Sequence, residues 1–289
     1  MGYQIFTDAT ADVSQEIMEG LPPVVYIPME VELGGTPYTY GPGGNLTVSQ
    51  FYAAQRGGLF ATTSQINPAA YRDAFEPCLR EGRDILYLCF SSGLSGTIQN
   101  ALLCIRELEE EYPDRTILLV DTLCASVGEG FLVREAASRQ AQGMGLEELA
   151  RWVEDHRLQV CHWFTVDTFD HLRHGGRVSA VAATAGTLLQ IKPLLHVDVE
   201  GKLQVVEKPR GRRRATESQL ARMEQGWDRS MGNLVLVGHG DCPQECAQLQ
   251  EEVERRFPGA KTYPVDIGPI IGAHTGPGML AIIFWGSAR

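Results

Sequence analysis

Residues Ile85 to Thr97 read ILYLCFSSGLSGT, and TIQNALLCIRELEEE continues from Thr97. An almost unbroken apolar run has the character of a strand covered on both faces. It stops abruptly at Ser and Gly, and apolar residues then return every three or four positions, which predicts a turn feeding a helix from Thr97 to Glu111. A strand leaving through such a turn into a helix is half of a parallel crossover unit. This one stretch therefore points to an α/β fold.

The same alternation extends outward. YQIFTDA and VVYIPMEVEL read as strands, Val48 to about Arg56 and Pro68 to Glu81 as helices, TILLVD as a strand and Ala125 to Gln142 as a helix. These predict a mainly parallel sheet flanked by helices. One more amphipathic helix, GMGLEELARWVEDHRLQ, follows, and then the texture changes. CHWFTVD, LLHVDVEGKLQVVEK with a turn at Glu200-Gly201, NLVLVGHG, KTYPVD and MLAIIFWG read as strands with hairpin signals. Helices near Thr216 to Trp227 and Pro243 to Phe257 interrupt them. Two domains are expected, 1–158 and 159–289, the second an α/β unit on a mixed or antiparallel sheet.

Composition narrows the function. Across 289 residues, 36 acidic against 25 basic side chains give a net charge of -11, a field that repels phosphate backbones, so nucleic-acid binding is disfavoured despite the basic run from Lys208 to Arg214. No apolar run reaches the roughly 18 to 20 residues of a membrane span, and MGYQIFTDAT lacks the layout of a secretory signal. A cytoplasmic location is expected. Seven cysteines, most inside apolar segments, read as buried free thiols. His239, Cys242 and Cys246 lack a second cluster to complete a zinc site, so no metal is expected. Neither a phosphate-binding G-x-x-x-x-G-K-[ST] loop nor a dinucleotide fingerprint is present, and no cofactor is expected.

The Ser/Gly turn sits where an open parallel sheet places ligands, ahead of a helix whose first N–H groups welcome an anion. Gly93 and Gly96 permit close approach, and Ser92, Ser95 and Thr97 offer hydroxyls. The same residues also suit a plain capped βα turn, and the two readings stand side by side. Ala61 to Gln65 (ATTSQ) is hydroxyl-rich ahead of a helix, serving either a cap or a ligand. Asp170 to Ser179 (DHLRHGGRVS) surrounds a glycine pair with cations. Ile271 to Gly278 (IGAHTGPG) sets His274 among residues that allow unusual backbone angles. A competing reading makes Ser95 the nucleophile and His274 the base of a serine hydrolase of acyl esters, because GLSG opens like G-x-S-x-G, with an Asp from the VDT segments at Asp121 or Asp167.

TDATAD, TTSQ, SSGLSGT, VDT, LRHGGRVS and GAHTGPG, in this order over almost the whole chain, resemble the DegV family of fatty-acid-binding proteins, which includes the FakB-type subunits of bacterial fatty acid kinase. The resemblance implies two α/β domains that bury one long-chain fatty acid, its carboxylate at their interface, with 159–289 as the lipid-binding domain. It implies carboxylate contacts from Thr63, from Ser95 with the Gly96 amide, and from His274. Arg177, with Arg210 or Arg212, would meet an ATP-binding kinase subunit and the transferred phosphoryl group, which makes the chain a carrier with no catalytic residue of its own, touching membrane surfaces at most transiently. Two departures bear on the local loop: Thr62 stands where many relatives carry Lys, and Asn67 precedes the proline.

Overall fold

The computed structural model describes residues 2–177, 190–287 and 289. In chain order the elements of the first half are β1 (Tyr3–Asp8), α1 (Gln15–Met18), β2 (Val25–Ile27), β3 (Met29–Leu33), β4 (Thr36–Tyr40), α2 (Val48–Arg56), β5 (Ala61–Thr63), α3 (Pro68–Arg80), β6 (Asp84–Cys89), α4 (Thr97–Glu111), β7 (Ile117–Asp121), α5 (Ser126–Ala141) and α6 (Leu146–His156). The second half continues with β8 (Val160–Thr165), α7 (Asp170–His174), β9 (Leu194–Val197), β10 (Leu203–Glu207), α8 (Arg212–Gly226), β11 (Leu234–His239), α9 (Pro243–Arg256), β12 (Lys261–Asp266), α10 (Pro269–Thr275) and β13 (Leu280–Trp285).

The protein is mixed α/β. The predicted parallel sheet has the order β2-β1-β6-β7. Alternation along β6 divides its two faces: Ile85, Tyr87 and Cys89 pack with Tyr71 and Phe75 of α3, whereas Leu86 and Leu88 join Phe131 of α5 and Leu149 of α6. The second large sheet, β10-β9-β8-β13-β11-β12, is mixed, with β11 and β12 parallel and every other pairing antiparallel. Its outer face packs on α8 and α9 through Leu220, Met223, Leu249 and Val253.

Helix α5 lies between the two sheets. From Ser126 to Val133 every residue of it is buried, as a helix covered all round must be, and Phe131 meets Trp285 of β13 edge to face at 5.1 Å. The largest apolar cluster accordingly draws on both halves of the chain.

Three details depart from the sequence reading. VVYIPMEVEL is two strands: β2 joins the parallel sheet and, beyond Pro28, β3 pairs with β4 and β5 in a separate antiparallel sheet. Proline cannot donate to a ladder, so the strand changes partners there. The TTSQ segment begins as strand β5, and Asn67 is the cap of α3, its side chain accepting from Ala70 N at 2.9 Å. Helix α8 starts at Arg212, four residues before the expected Thr216.

Candidate functional site

A cavity opens where β5, the turn after β6, α7 and α10 converge on the inner face of the mixed sheet. It holds about 870 Å³ free of protein atoms, its mouth included, yet the room open to the centre of a water molecule is only about 90 Å³. It is therefore a narrow slot. Most of its wall is apolar, with Phe164, Val197, Leu203, Ala281 and Ile283 from the sheet and Ile270 and Ile271 from α10. Thr63, Ser95, His274 and Arg177, all anticipated from the sequence, line it together.

Each reaches the cavity for a local reason. Thr63 ends β5, which runs antiparallel to β3 with Thr63 opposite Val31. Ser95 lies in the turn before α4, and its Oγ accepts the N–H of Thr97 at 3.2 Å, which leaves its own proton to give. His274 stands in the last turn of α10, its Nε2 2.9 Å from Thr63 Oγ1. Burial, with the nearby charge of Arg177 and then of His174, pushes the imidazole down to about 4, so it is neutral at physiological pH. Its buried Nδ1 has no hydrogen-bond partner among the described residues.

The glycines explain how α7 and α10 come so close. A Cβ on Gly175 would stand 2.0 Å from His274 Nδ1, and one on Gly276, at φ 73, would stand 2.2 Å from His171 Cδ2. Each helix presses a histidine onto the other's glycine. Val178 and Ser179 of the DHLRHGGRVS segment lie outside the described residues.

The other anticipated residues sit elsewhere. Gly96 is exposed, does not line the cavity, and packs against the Gln65 side chain as the cap of α4. Ser92 is exposed too, its N–H held by Asp121 Oδ1. The hydroxyl of Thr97 is buried, accepting from Ile66 N at 3.2 Å and meeting the Tyr71 hydroxyl at 3.2 Å. Gly93 is small because the turn is pressed onto the β9–β10 hairpin, where its Cβ would fall 2.5 Å from the carbonyl of Glu200. Arg210 is exposed. Arg212, by contrast, is 22% exposed at its side chain and donates to Thr165 Oγ1 at 3.0 Å, to Asp167 Oδ1 at 2.8 Å and to the carbonyl of Gly278. It faces inward because β8, α8 and the Gly-Pro-Gly turn meet there.

Among the described residues the hydrolase alternative finds no triad. His274 pairs with Thr63 and no carboxylate orients its Nδ1, while Asp121 holds the turn backbone and Asp167 holds Arg212 and Lys192. Cys242 and Cys246 direct their thiols at the carbonyls of Met279 and Val237. Sequence reasoning missed His162, whose ring lines the cavity against Gly128. A histidine inside the apolar strand CHWFTV was the available signal.

The family model described as "Uncharacterised protein, DegV family" matches residues 3–286. The chain belongs to the DegV family. A DegV domain-containing protein of Clostridium perfringens is 37% identical over 99% of this chain and 98% of its own length. A DegV family protein from Thermus thermophilus, described as binding fatty acid, superposes with a TM-score of 0.86 at 29% identity, covering 99% of this chain and 100% of that one. The Streptococcus pneumoniae fatty acid kinase B3 protein, loaded with linoleic acid, shares the fold of this DegV chain at a TM-score of 0.86 and 20% identity, over 99% and 100% of the two chains.

Proposed function

We propose that this DegV protein binds one long-chain fatty acid in the slot, with the carboxylate at Thr63, Ser95 and His274, and presents it to an ATP-dependent fatty acid kinase subunit for acyl-phosphate formation. The observation that carries the reading is the slot itself, a narrow and mostly apolar cavity whose lining includes Thr63 hydrogen-bonded to a neutral His274, together with Ser95 and Arg177. The family relative from Thermus thermophilus, described as a fatty-acid binder, supports it.

The energetics suit a carrier. Each buried methylene contributes about 0.8 kcal/mol, so a chain of roughly sixteen carbons offers on the order of 10 kcal/mol, and the head group has only to be oriented. Hydroxyls and a neutral imidazole bind a carboxylate without neutralising it, which leaves its oxygens nucleophilic toward a phosphoryl donor. Exposed Arg177 at the cavity mouth, with Arg210, suits the kinase contact and the phosphoryl group. A cytoplasmic setting fits the seven buried free thiols. Among the described residues no helix is long and apolar enough to cross a membrane.

Native mass spectrometry of protein purified from a bacterial host tests the first half, with one copurifying fatty acid expected. Lipid-free protein that also takes up no added oleate or palmitate would overturn it. A reconstituted assay with an ATP-binding kinase subunit tests the second half, and Arg177→Ala is expected to keep the lipid while losing acyl-phosphate formation. Labelling of Ser95 by a fluorophosphonate would restore the hydrolase.

A further inference from the structure

Behind the turn that carries Ser95 runs a line of buried hydroxyl and carboxyl groups, of which Thr10 alone lines the cavity. Thr97 Oγ1 meets the Tyr71 hydroxyl at 3.2 Å, Tyr71 meets the Tyr87 hydroxyl at 3.0 Å, and Tyr87 donates to Asp8 Oδ2 at 2.9 Å. On the far side of Asp8, Thr10 Oγ1 stands 2.5 Å from Asp8 Oδ1 and 2.7 Å from Glu129 Oε2, and Thr7 Oγ1 reaches Glu129 Oε1 at 3.3 Å. All seven residues are at most 1% exposed.

The hydrogens of this line can be counted. The Thr10 hydroxyl has one proton yet lies within hydrogen-bond distance of a carboxyl oxygen on each side, so one of the two carboxyls must bring the second proton. Asp8 has the stronger claim to the negative charge. Apart from the one Thr10 hydroxyl proton that both carboxyls adjoin, Asp8 receives Thr10 N at 3.0 Å, Tyr87 and the N–H of Phe90, whereas Glu129 receives the hydroxyl of Thr7. The carboxyl with more donors is the better anion. We propose that Glu129 is a neutral carboxylic acid in the folded protein, and that the proton it gives to Thr10 fixes the direction of the whole hydrogen-bond line.

With Glu129 donating to Thr10, Thr10 donates to Asp8. On the other arm Tyr87 donates to Asp8, Tyr71 to Tyr87 and Thr97 to Tyr71, which turns the lone pairs of Thr97 Oγ1 toward Ile66 N, its donor at 3.2 Å. The line thus ends by pinning the loop that bears Ser64 and Gln65 to the turn that bears Ser95, the two segments that flank the cavity beside Thr63. Glu129 is a positioning residue. The groups around it agree: Asp8 and Asp12 from β1 and its turn, Tyr26 from β2, Cys89 from β6 and Cys124 before α5 are all acids. The cation Arg289 on that side is committed to Cys124 Sγ and to backbone carbonyls. Burial beside Asp8 pushes Glu129 well above the usual carboxylate range.

The full-length chain provides the test, in three measurements. Infrared spectra at neutral pH should contain the carbonyl band of a protonated carboxylic acid that Glu129→Gln removes and Asp8→Asn does not. Persistence of the band in E129Q, or its loss in D8N alone, would overturn the proposal. Because the folded state holds this proton more tightly than the unfolded one, stability should fall as pH rises from the ordinary carboxylate range to the titration of Glu129, by about tenfold in the folding constant per pH unit relative to E129Q. A wild-type-minus-E129Q difference that does not vary with pH would also overturn it. The effect on the cavity rests on the proposed lipid binding: Glu129→Leu should weaken fatty-acid affinity about tenfold, and E129Q, whose amide still donates to Thr10, should restore it. If the wild type binds no fatty acid, that reading fails while the band and the stability slope still decide the state of Glu129.

Discussion

Two polar clusters flank the Gly-Pro-Gly turn after α10, and they are built to opposite ends. At Arg212 the guanidinium, Thr165, Asp167, Lys192 and the Gly278 carbonyl use one another's hydrogen-bonding capacity within a few ångströms. At His274 the imidazole is neutral, its Nδ1 has no partner among the described residues, and Thr63 and Ser95 line the slot with it. Charge alone would have picked the arginine cluster as the site. Unused hydrogen-bonding capacity beside an apolar channel picks the histidine cluster, the site proposed above, because groups that spend their donors and acceptors on one another have less left for a ligand.

The sharpest separation comes from acid. The folded protein holds His274 at about 4, against 6.5 for a free imidazole, so the unfolded chain binds its proton first. Stability from this group is present above about pH 6.5 and is lost as pH falls toward 4, on the order of 3 kcal/mol in all. His162, also buried and neutral, contributes in the same direction, so the measurement is denaturant unfolding of lipid-free wild type against His274→Gln across that window. The difference between them should shrink as the pH drops. A constant difference would mean that His274 is solvated, and the contrast with Arg212 would collapse.

The arginine cluster makes the next largest prediction. Arg212→Ala should destabilise the protein by about 2 kcal/mol, since it strips donors from Thr165, Asp167 and a backbone carbonyl at a largely buried position. Arg177→Ala, at an exposed residue, should stay within about 0.5 kcal/mol of wild type. Thermal or urea unfolding of the two variants checks this. The proposed kinase coupling is therefore read more cleanly from Arg177, because a loss in the Arg212 variant would mix any docking effect with unfolding.

Much of this was legible before any coordinates. Helix α4 begins and ends where its apolar spacing and the Ser/Gly turn predicted, and the change from parallel to mixed sheet followed the appearance of hairpin turns. What stayed hidden depends on long-range packing. Strand β5 is only three residues, Ala61-Thr62-Thr63, on a sheet edge, too short to show a periodicity. Helix α10 was masked by Gly272, which is glycine because a Cβ there would stand 2.7 Å from the Phe51 ring. The pairing of Thr63 with His274 spans 211 residues, a separation no local pattern encodes. The Asp8–Thr10–Glu129 line left only a faint mark, acids set inside the apolar contexts IFTDATA and SVGEGFLV.

The smallest effect is the most selective. Thr63→Val keeps the volume and the β-branched shape that suit the end of β5, and removes only the hydroxyl that meets His274 Nε2 at 2.9 Å and lines the slot. Thr63 is only half-buried, so stability should change little, while the bound carboxylate would lose one contact of its own and the group that orients the imidazole. Fatty-acid affinity should fall about fivefold to tenfold, the size expected for one hydrogen bond, and Thr63→Ser should recover most of it. Isothermal titration or displacement of a fluorescent fatty acid measures both. If Val binds as tightly as Thr, the open capacity of the histidine cluster is not what holds the head group, and the distinction between the two clusters would have to rest on Ser95 and His274 alone.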